Sequence, residues 1–564
     1  RRRWLPATGT GDDRTRAIFA LAAVTGVVTG LGVAGFEWLT REQLLDRLRH
    51  QSAAVQIVAP LIGLVLAALV LQTIGRRLAR GTSLTPSTAD EYVKNFHDQG
   101  ERLALRPVPS RLLASVATLG LGGAMGFEGP AIYLGASVGS ALQRAFSRWF
   151  SRADAKLLLA CGAAAGVSAI FKAPATGLVF ALEVPFQDDI ARRMLLPAGI
   201  ASATSYLAFV AFAGTAPFFA VSGAPPFDLR DLGGSVVLGL LCGVGARLFT
   251  GALIRAKHLA AEFPPLVRAL SAGAGLTLLA ALSFLLFGDG LTVGAGYDNL
   301  AWAVDPRHGV GLVLLLLVMR ALATVLTVAG GGVGGLFIPL VVEGALMGDV
   351  VGGLFRASSA GSSNFFPLVG VSAFLGAGYR VPLAAVVFAA EATGRPGFIV
   401  PGLMASVVAQ LCMGGRSASP YQRARRAGHL ERRLDLPLAA ALRTEVATVP
   451  SDATLAEFFS QHLLGNRQQA VPVVDGDRYQ GIMSLAELRD TPQSRWHDVT
   501  VAEAMRTDVP TAAPQAALRD AVAAMEHADV DVLPVTEGRS FVGVVTTSEI
   551  VRLDEILDRV DGPR

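Results

Sequence analysis

Long apolar runs recur up to about Met413, among them Ala17–Gly35, Ala54–Val70, Met194–Phe212, Ser235–Ile254, Ala269–Phe287 and Val310–Val328. Each comes close to the roughly 20 residues a helix needs to cross a bilayer. The composition agrees, with 52% hydrophobic and only 17% charged residues. The chain therefore reads as a multi-pass membrane protein. Neighbouring apolar segments are shorter and broken by Gly or Pro. In a bilayer these are tolerated only where the freed backbone is buried in protein or lines a wet cavity, which favours a transporter or channel over a simple anchor.

Arginines flank the apolar region at both ends, in "RRRWLPATGTGDDRTR" and in "YQRARRAGHLERR" at Tyr421–Arg433. No cleavable leader is evident, and the positive-inside rule places both termini in the cytoplasm, with the spans in the plasma (inner) membrane. The net charge of +4 reflects such flanks, so a nucleic-acid partner is not expected. Cys161, Cys242 and Cys412 sit in apolar stretches without paired spacing, and the scattered histidines show no metal-ligand pattern. No nucleophile–base constellation suggests an enzyme.

Two internal repeats organise the chain. "GGAMGFEGPAIYLGASVG" (Gly122–Gly139) aligns with "GGVGGLFIPLVVEGALMG" (Gly331–Gly348) at an offset of 209. "PATGLVFALE" (Pro174–Glu183) aligns with "PLAAVVFAAE" (Pro382–Glu391) at 208. Two matches at nearly one spacing imply a duplicated membrane domain, expected over residues 1–430. Duplicated halves commonly place a substrate site at their interface, built from broken helices whose N-terminal ends face the ligand. A Gly-rich loop opening into a helix offers unpaired N–H groups and a partial positive charge, so two such loops would converge on an anion. Glu128 lies inside the first loop. An unpaired carboxylate in an apolar stretch is costly, and Glu128 is therefore read as functional. A cation carrier would instead need convergent oxygen ligands, against which the donor-rich helix starts argue.

After Met413 the composition becomes that of a soluble module, expected over residues 431–564. "VPVVDGDRYQGIMSLAEL" (Val471–Leu488) aligns without a gap on "LPVTEGRSFVGVVTTSEI" (Leu533–Ile550) at an offset of 62. Each copy reads as strand, turn, strand and helix, in repeats of about 444–492 and 501–556.

Together these stretches resemble the CLC family of chloride channels and proton/chloride antiporters, with a tandem pair of cystathionine-β-synthase-type (CBS) domains. "GFEGP" (Gly126–Pro130) is similar to the family's G(K/R)EGP, with Phe127 in the basic position, and "GLFIP" (Gly335–Pro339) to GxFxP. The resemblance implies an all-α, inverted-repeat, broken-helix membrane fold followed by an α/β tail, working as a homodimer with one chloride pathway per subunit. It makes Glu128 the gate and sets Gly126, Gly335, Leu336, Phe337, the Tyr421 hydroxyl and Ser83 of "GTSLTP" around the anion. Where the family's antiporters carry a second, proton-passing glutamate, this chain has Val184. The expectation is therefore a passive chloride channel gated by Glu128, with a proton/chloride antiporter as the alternative. CBS pairs often bind an adenine nucleotide through an (S/T)xxD element. Here the equivalents are Ser484–Glu487 and Thr546–Glu549, with Glu for Asp, so the tail is expected either to bind nucleotide or to act as a structural clamp. No resident cofactor or metal is expected.

Overall fold

The structure is a computed structural model. It describes residues 11–79, 88–97, 103–150, 154, 156–187, 190–216, 219, 228–303, 308–356, 365–423, 436–465, 470–528, 530–550 and 552–553. The chain divides into two compact units, one spanning Pro6–Arg425 and another containing Arg426–Arg564.

The first unit is helical. Its principal helices are α1 (Gly11–Glu37), α2 (Ala53–Val70), α3 (Thr88–His97), α4 (Val108–Gly120), α5 (Glu128–Ala145), α6 (Leu157–Phe171), α7 (Pro174–Glu183) and α8 (Leu195–Ala213). They continue as α9 (Leu229–Ala261), α10 (Pro265–Phe287), α11 (Val310–Ala329), α12 (Phe337–Arg356), α13 (Phe365–Tyr379), α14 (Pro382–Thr393) and α15 (Ile399–Met413). Among the described residues, eight helical segments are long and apolar enough to cross a membrane. By contrast α6, α7, α13 and α14 run for only 10–17 residues. α6 and α13 are buried along their whole lengths, as short helices must be if their ends are to be satisfied inside protein.

The two halves repeat each other in three dimensions. α5 packs on α6 through Gly135, Gly139, Gly162 and Gly166, where an added Cβ would strike backbone carbonyls of the facing helix. α12 packs on α13 in the same way through Gly344, Gly348 and Gly370. Small residues at these positions let the helix backbones touch, the principal means of tight packing without a hydrophobic driving force.

Hydrogen bonds then cross between the halves in reciprocal pairs. The Gly126 amide donates to the Gly335 carbonyl at 2.9 Å, and the Gly335 amide returns the bond at 2.8 Å. The Thr118 hydroxyl accepts from the Val333 amide at 3.1 Å, and its counterpart Thr327 accepts from the Ala124 amide at 3.2 Å. Glu391 caps the start of α7, taking the Ala175 and Thr176 amides at 2.9 and 2.7 Å. Glu183 caps the start of α14, taking the Leu383 and Ala384 amides at 3.2 and 2.8 Å. Both carboxylates thus satisfy helix-start N–H groups that would otherwise have no partner.

The second unit carries β1 (Ala470–Asp475), β2 (Arg478–Ser484), β3 (Val532–Glu537) and β4 (Ser540–Thr546) in one sheet of order β1-β2-β4-β3. β1–β2 and β3–β4 are antiparallel hairpins whose registers shift at matching places, Val473/Val474 and Val535/Thr536. Their turns use Gly476 and Gly538 at φ 64° and 67°, left-handed backbone that a two-residue hairpin loop requires. Each repeat buries its own core, Val471, Val473, Phe458 and Met483 in one, and Leu518, Leu533, Val535 and Val545 in the other.

Gly135→Leu is expected to abolish folding of the first unit, because the new side chain meets the Gly162 carbonyl, backbone that cannot swing aside, as well as the Thr29 methyl. The cost should exceed the ~1–3 kcal/mol of an ordinary overpacked core. Size-exclusion chromatography of the detergent-extracted protein checks this, with loss of the monodisperse peak as the expected result.

Candidate functional site

Glu128 is the first residue of α5, at the junction where the two Gly-rich loops exchange hydrogen bonds. The residue is only 1% exposed. Its carboxylate reaches across the junction to the start of α12, where the Phe337 amide donates to Oε1 at 2.7 Å. The Ile338 amide and the Glu128 amide lie close to this carboxylate. Its Oε2 has no hydrogen-bond partner among the described residues. No cation is close enough to form an ion pair with it among the described residues, so amide dipoles and the α12 helix start balance its charge.

Packing holds the α12 start rigid. The Phe337 ring sits among Phe171, Phe180 and Phe388, with centroids 4.5, 5.3 and 4.8 Å away. On the α5 side, Phe127 stacks on Tyr297 at 6.1 Å, and the Arg41 guanidinium lies over the other ring of that pair, 5.1 Å from the Tyr297 centroid. A cation is therefore brought near the loop from the segment after α1, although Phe127 itself carries none.

Several expected site residues have other roles. Gly126 and Gly335, expected at the anion, bond to each other, so their amides are not available to a ligand. Tyr421, expected to point its hydroxyl at the anion, is 39% exposed. The buried residue of its segment is Gln422, whose amide donates to the Val184 and Tyr379 carbonyls at 2.8 and 2.7 Å. The phenol near the site belongs instead to Tyr379 at the end of α13. The Leu336 amide lies beside its hydroxyl, and its ring meets Phe180 edge-on at 5.7 Å. Leu336 thus faces Tyr379, and Phe337 faces Glu128. Ser83 lies outside the described residues. The Lys172 ammonium, just past the end of α6, donates to the Ala213 carbonyl at 2.8 Å.

Tyr379, Ile338, Arg41 and Gln422 escaped the sequence reading. A buried tyrosine ending an apolar helix was the one available signal, and "GAGYRVP" contains it.

In the second unit, Ser484 and Glu487 form a helix cap on each other: the Ser484 amide donates to Glu487 Oε2 at 2.9 Å, and the two side chains are also bonded. The Thr546 hydroxyl accepts from the Glu549 amide at 3.2 Å, while the Glu549 carboxylate pairs with Arg552 at 3.9 Å. Nucleotide binding through Glu487 would require this cap to open.

A buried site of converging amides that now holds a carboxylate is suited to a small monovalent anion, which presents the same charge to the same donors. Comparison with known proteins agrees. Residues 63–414 match the family described as voltage gated chloride channel, and residues 438–493 and 501–555 each match the CBS domain. The chain is 29% identical over 430 residues to an H(+)/Cl(-) exchange transporter ClcA from Citrobacter koseri, covering 72% of this chain and 88% of the relative. It is 28% identical over 425 residues to a ClcA from Yersinia pseudotuberculosis, covering 72% and 87%. A slow cyanobacterial Cl-/H+ antiporter has a similar structure, with a TM-score of 0.62 at 21% identity, covering 71% of this chain and 96% of its own. A eukaryotic CLC transporter covers 94% of this chain and 97% of its own, with a TM-score of 0.59 at 16% identity.

The geometry separates the two tyrosines. Tyr379→Phe removes a hydroxyl beside the Leu336 amide, and is expected to weaken chloride binding about tenfold, as losing one charge-assisted hydrogen bond would. Tyr421→Phe should leave binding within about twofold. Isothermal titration of the detergent-purified proteins measures both.

Proposed function

The chain belongs to the voltage gated chloride channel family, and from that premise we propose that it exchanges chloride for protons across a bilayer, with Glu128 alternating with the anion at the start of α12. The observation that carries the reading is the 2.7 Å hydrogen bond from the Phe337 amide to the Glu128 carboxylate. When charged, Glu128 occupies the donors an incoming chloride needs. Once protonated, it loses its claim on them and chloride enters. One buried group therefore couples proton binding to anion binding, because the two ions compete through it. The relatives of 28% and 29% identity are named as exchangers, which supports this reading over the passive conduction expected from Val184. Passive conduction stands as the second reading, because Val184 cannot itself pass a proton.

The Glu128–Phe337 junction is built wholly within one chain, which supports one pathway per subunit of a homodimer. Membrane insertion with both termini in the cytoplasm belongs to the same reading.

The test uses full-length protein in liposomes with an outward chloride gradient, recording chloride efflux and internal pH with and without a potassium/valinomycin shunt. Proton uptake against its own gradient establishes exchange. Efflux that needs the shunt and moves no protons establishes a channel, and no chloride flux in either condition refutes both. Glu128→Gln mimics the protonated gate and removes the competing charge. It is expected to abolish proton uptake and raise shunt-dependent chloride efflux by about tenfold, equivalent to ~1.4 kcal/mol of lost competition.

A further inference from the structure

Exchange needs a proton path to Glu128 from the far side of the protein, and the usual carboxylate position on that route holds Val184. Val184 lines a small cavity together with Asp90, Tyr92, Ile132, Phe180, Tyr379 and Ser419. Four of these residues carry groups able to exchange protons, and the Tyr92 hydroxyl is already engaged with the Ala181 carbonyl, which leaves Asp90, Ser419 and Tyr379. Asp90, in the first turn of α3, is buried, and its Oδ2 lies 3.3 Å from the Lys257 ammonium of α9. The Ser419 hydroxyl is also buried and has no hydrogen-bond partner among the described residues. Tyr379 completes the set on the same cavity wall, its ring against Phe180, which in turn touches Phe337 beside Glu128.

The surrounding fold holds these groups in register. The Tyr92 hydroxyl, two residues from Asp90, donates to the Ala181 carbonyl at 2.6 Å and fixes α3 against the end of α7. Gln422 ties the Val184 and Tyr379 backbones together on the cavity's other wall. Of the neighbouring charges, Glu91 is engaged with Arg111 at 3.1 Å, whereas Asp90 pairs with Lys257. Lys257 is 32% exposed and stands close to the end of α9, so the pair has one member at the protein surface and one at the cavity.

We propose that Asp90 is the proton-relay carboxylate serving Glu128, taking the role that Val184 cannot fill. A proton from the solvent near Lys257 binds the Asp90 carboxylate, neutralises it and releases the ammonium to water. The proton is then passed along the Ser419 and Tyr379 hydroxyls, with water in the cavity, each oxygen accepting one proton and giving up its own. Glu128 takes the last one and leaves the Phe337 amide to chloride. Only O–H bonds form and break, and no electrons change hands. The inference rests on the exchange reading above.

The experiment is the same liposome assay, reading protons moved per chloride. Asp90→Asn is expected to lower that ratio at least tenfold in a background where the wild type couples the two ions. Val184→Glu, added to Asp90→Asn, places a carboxylate on the same cavity wall and is expected to restore the ratio to within about threefold of wild type. A merely structural Asp90–Lys257 pair would show no such rescue. Should Asp90→Asn fail to fold because Lys257 is left unpaired, the double variant Asp90→Asn/Lys257→Met removes both charges and should show the same loss. An unchanged ratio in either Asp90→Asn protein, with a coupled wild type, overturns the Asp90 assignment alone. A wild type that moves no protons overturns the exchange reading and this inference with it.

Discussion

The pair of hydrogen bonds between Gly126 and Gly335 fixes the rest of the membrane unit. These residues are counterparts at the repeat offset of 209, so the bonds join a position to its own copy. Such an exchange is possible only if the two loops run antiparallel through a local two-fold axis. That axis aims the starts of α5 and α12 at each other. The flanking threonine pair obeys the same rule, since Thr118 and Thr327 each donate to the carbonyl four residues earlier and accept from the opposite loop. Orphan amides of a broken helix are thereby satisfied without water, the condition for keeping irregular backbone at membrane depth.

In the proposed exchange reading, function comes from the place where that symmetry fails. The counterpart of Glu128 at the offset of 209 is Phe337. One half supplies a negative side chain, and the other supplies the backbone donor that receives it, while the Phe337 side chain turns away into an aromatic cluster. A symmetric pair of glutamates would set two like charges at one set of donors, and a symmetric pair of phenylalanines would leave no titratable group. The same offset relates Arg111 to Arg320, both buried and differently partnered: Arg111 takes Glu91, and Arg320 donates to the Gly294 and Ala295 carbonyls at 3.0 Å.

Much of this was legible in the sequence, because the signals were periodic or repeated. Span lengths follow from bilayer thickness, the Gly-rich loops announce helix starts, and "GFEGP" and "GLFIP" align at one offset. What sequence could not resolve was which groups of each loop point at the site. The two loop glycines looked like ligands, but backbone direction turned their amides to one another. Tyr421 and Tyr379 are both tyrosines near the end of the unit. Only the burial of Tyr379 at the end of α13, with its ring edge-on to Phe180, decides that the second is the buried one. Asp90 carried no motif at all, since its partner Lys257 and the other residues of its cavity, Tyr379 among them, are far away in the chain.

The crossed caps of Glu183 and Glu391 have a consequence for how such a molecule can come apart. Each half carries the carboxylate that closes a helix in the other half, so neither is chemically complete alone. Separated, each would hold a carboxylate without its amides and a helix start without its anion. A single half-length chain could satisfy both needs only by meeting a second copy of itself in opposite orientation. On that view the present chain is an ancient antiparallel partnership made permanent by a peptide linkage, and its interior is an interface between two former molecules.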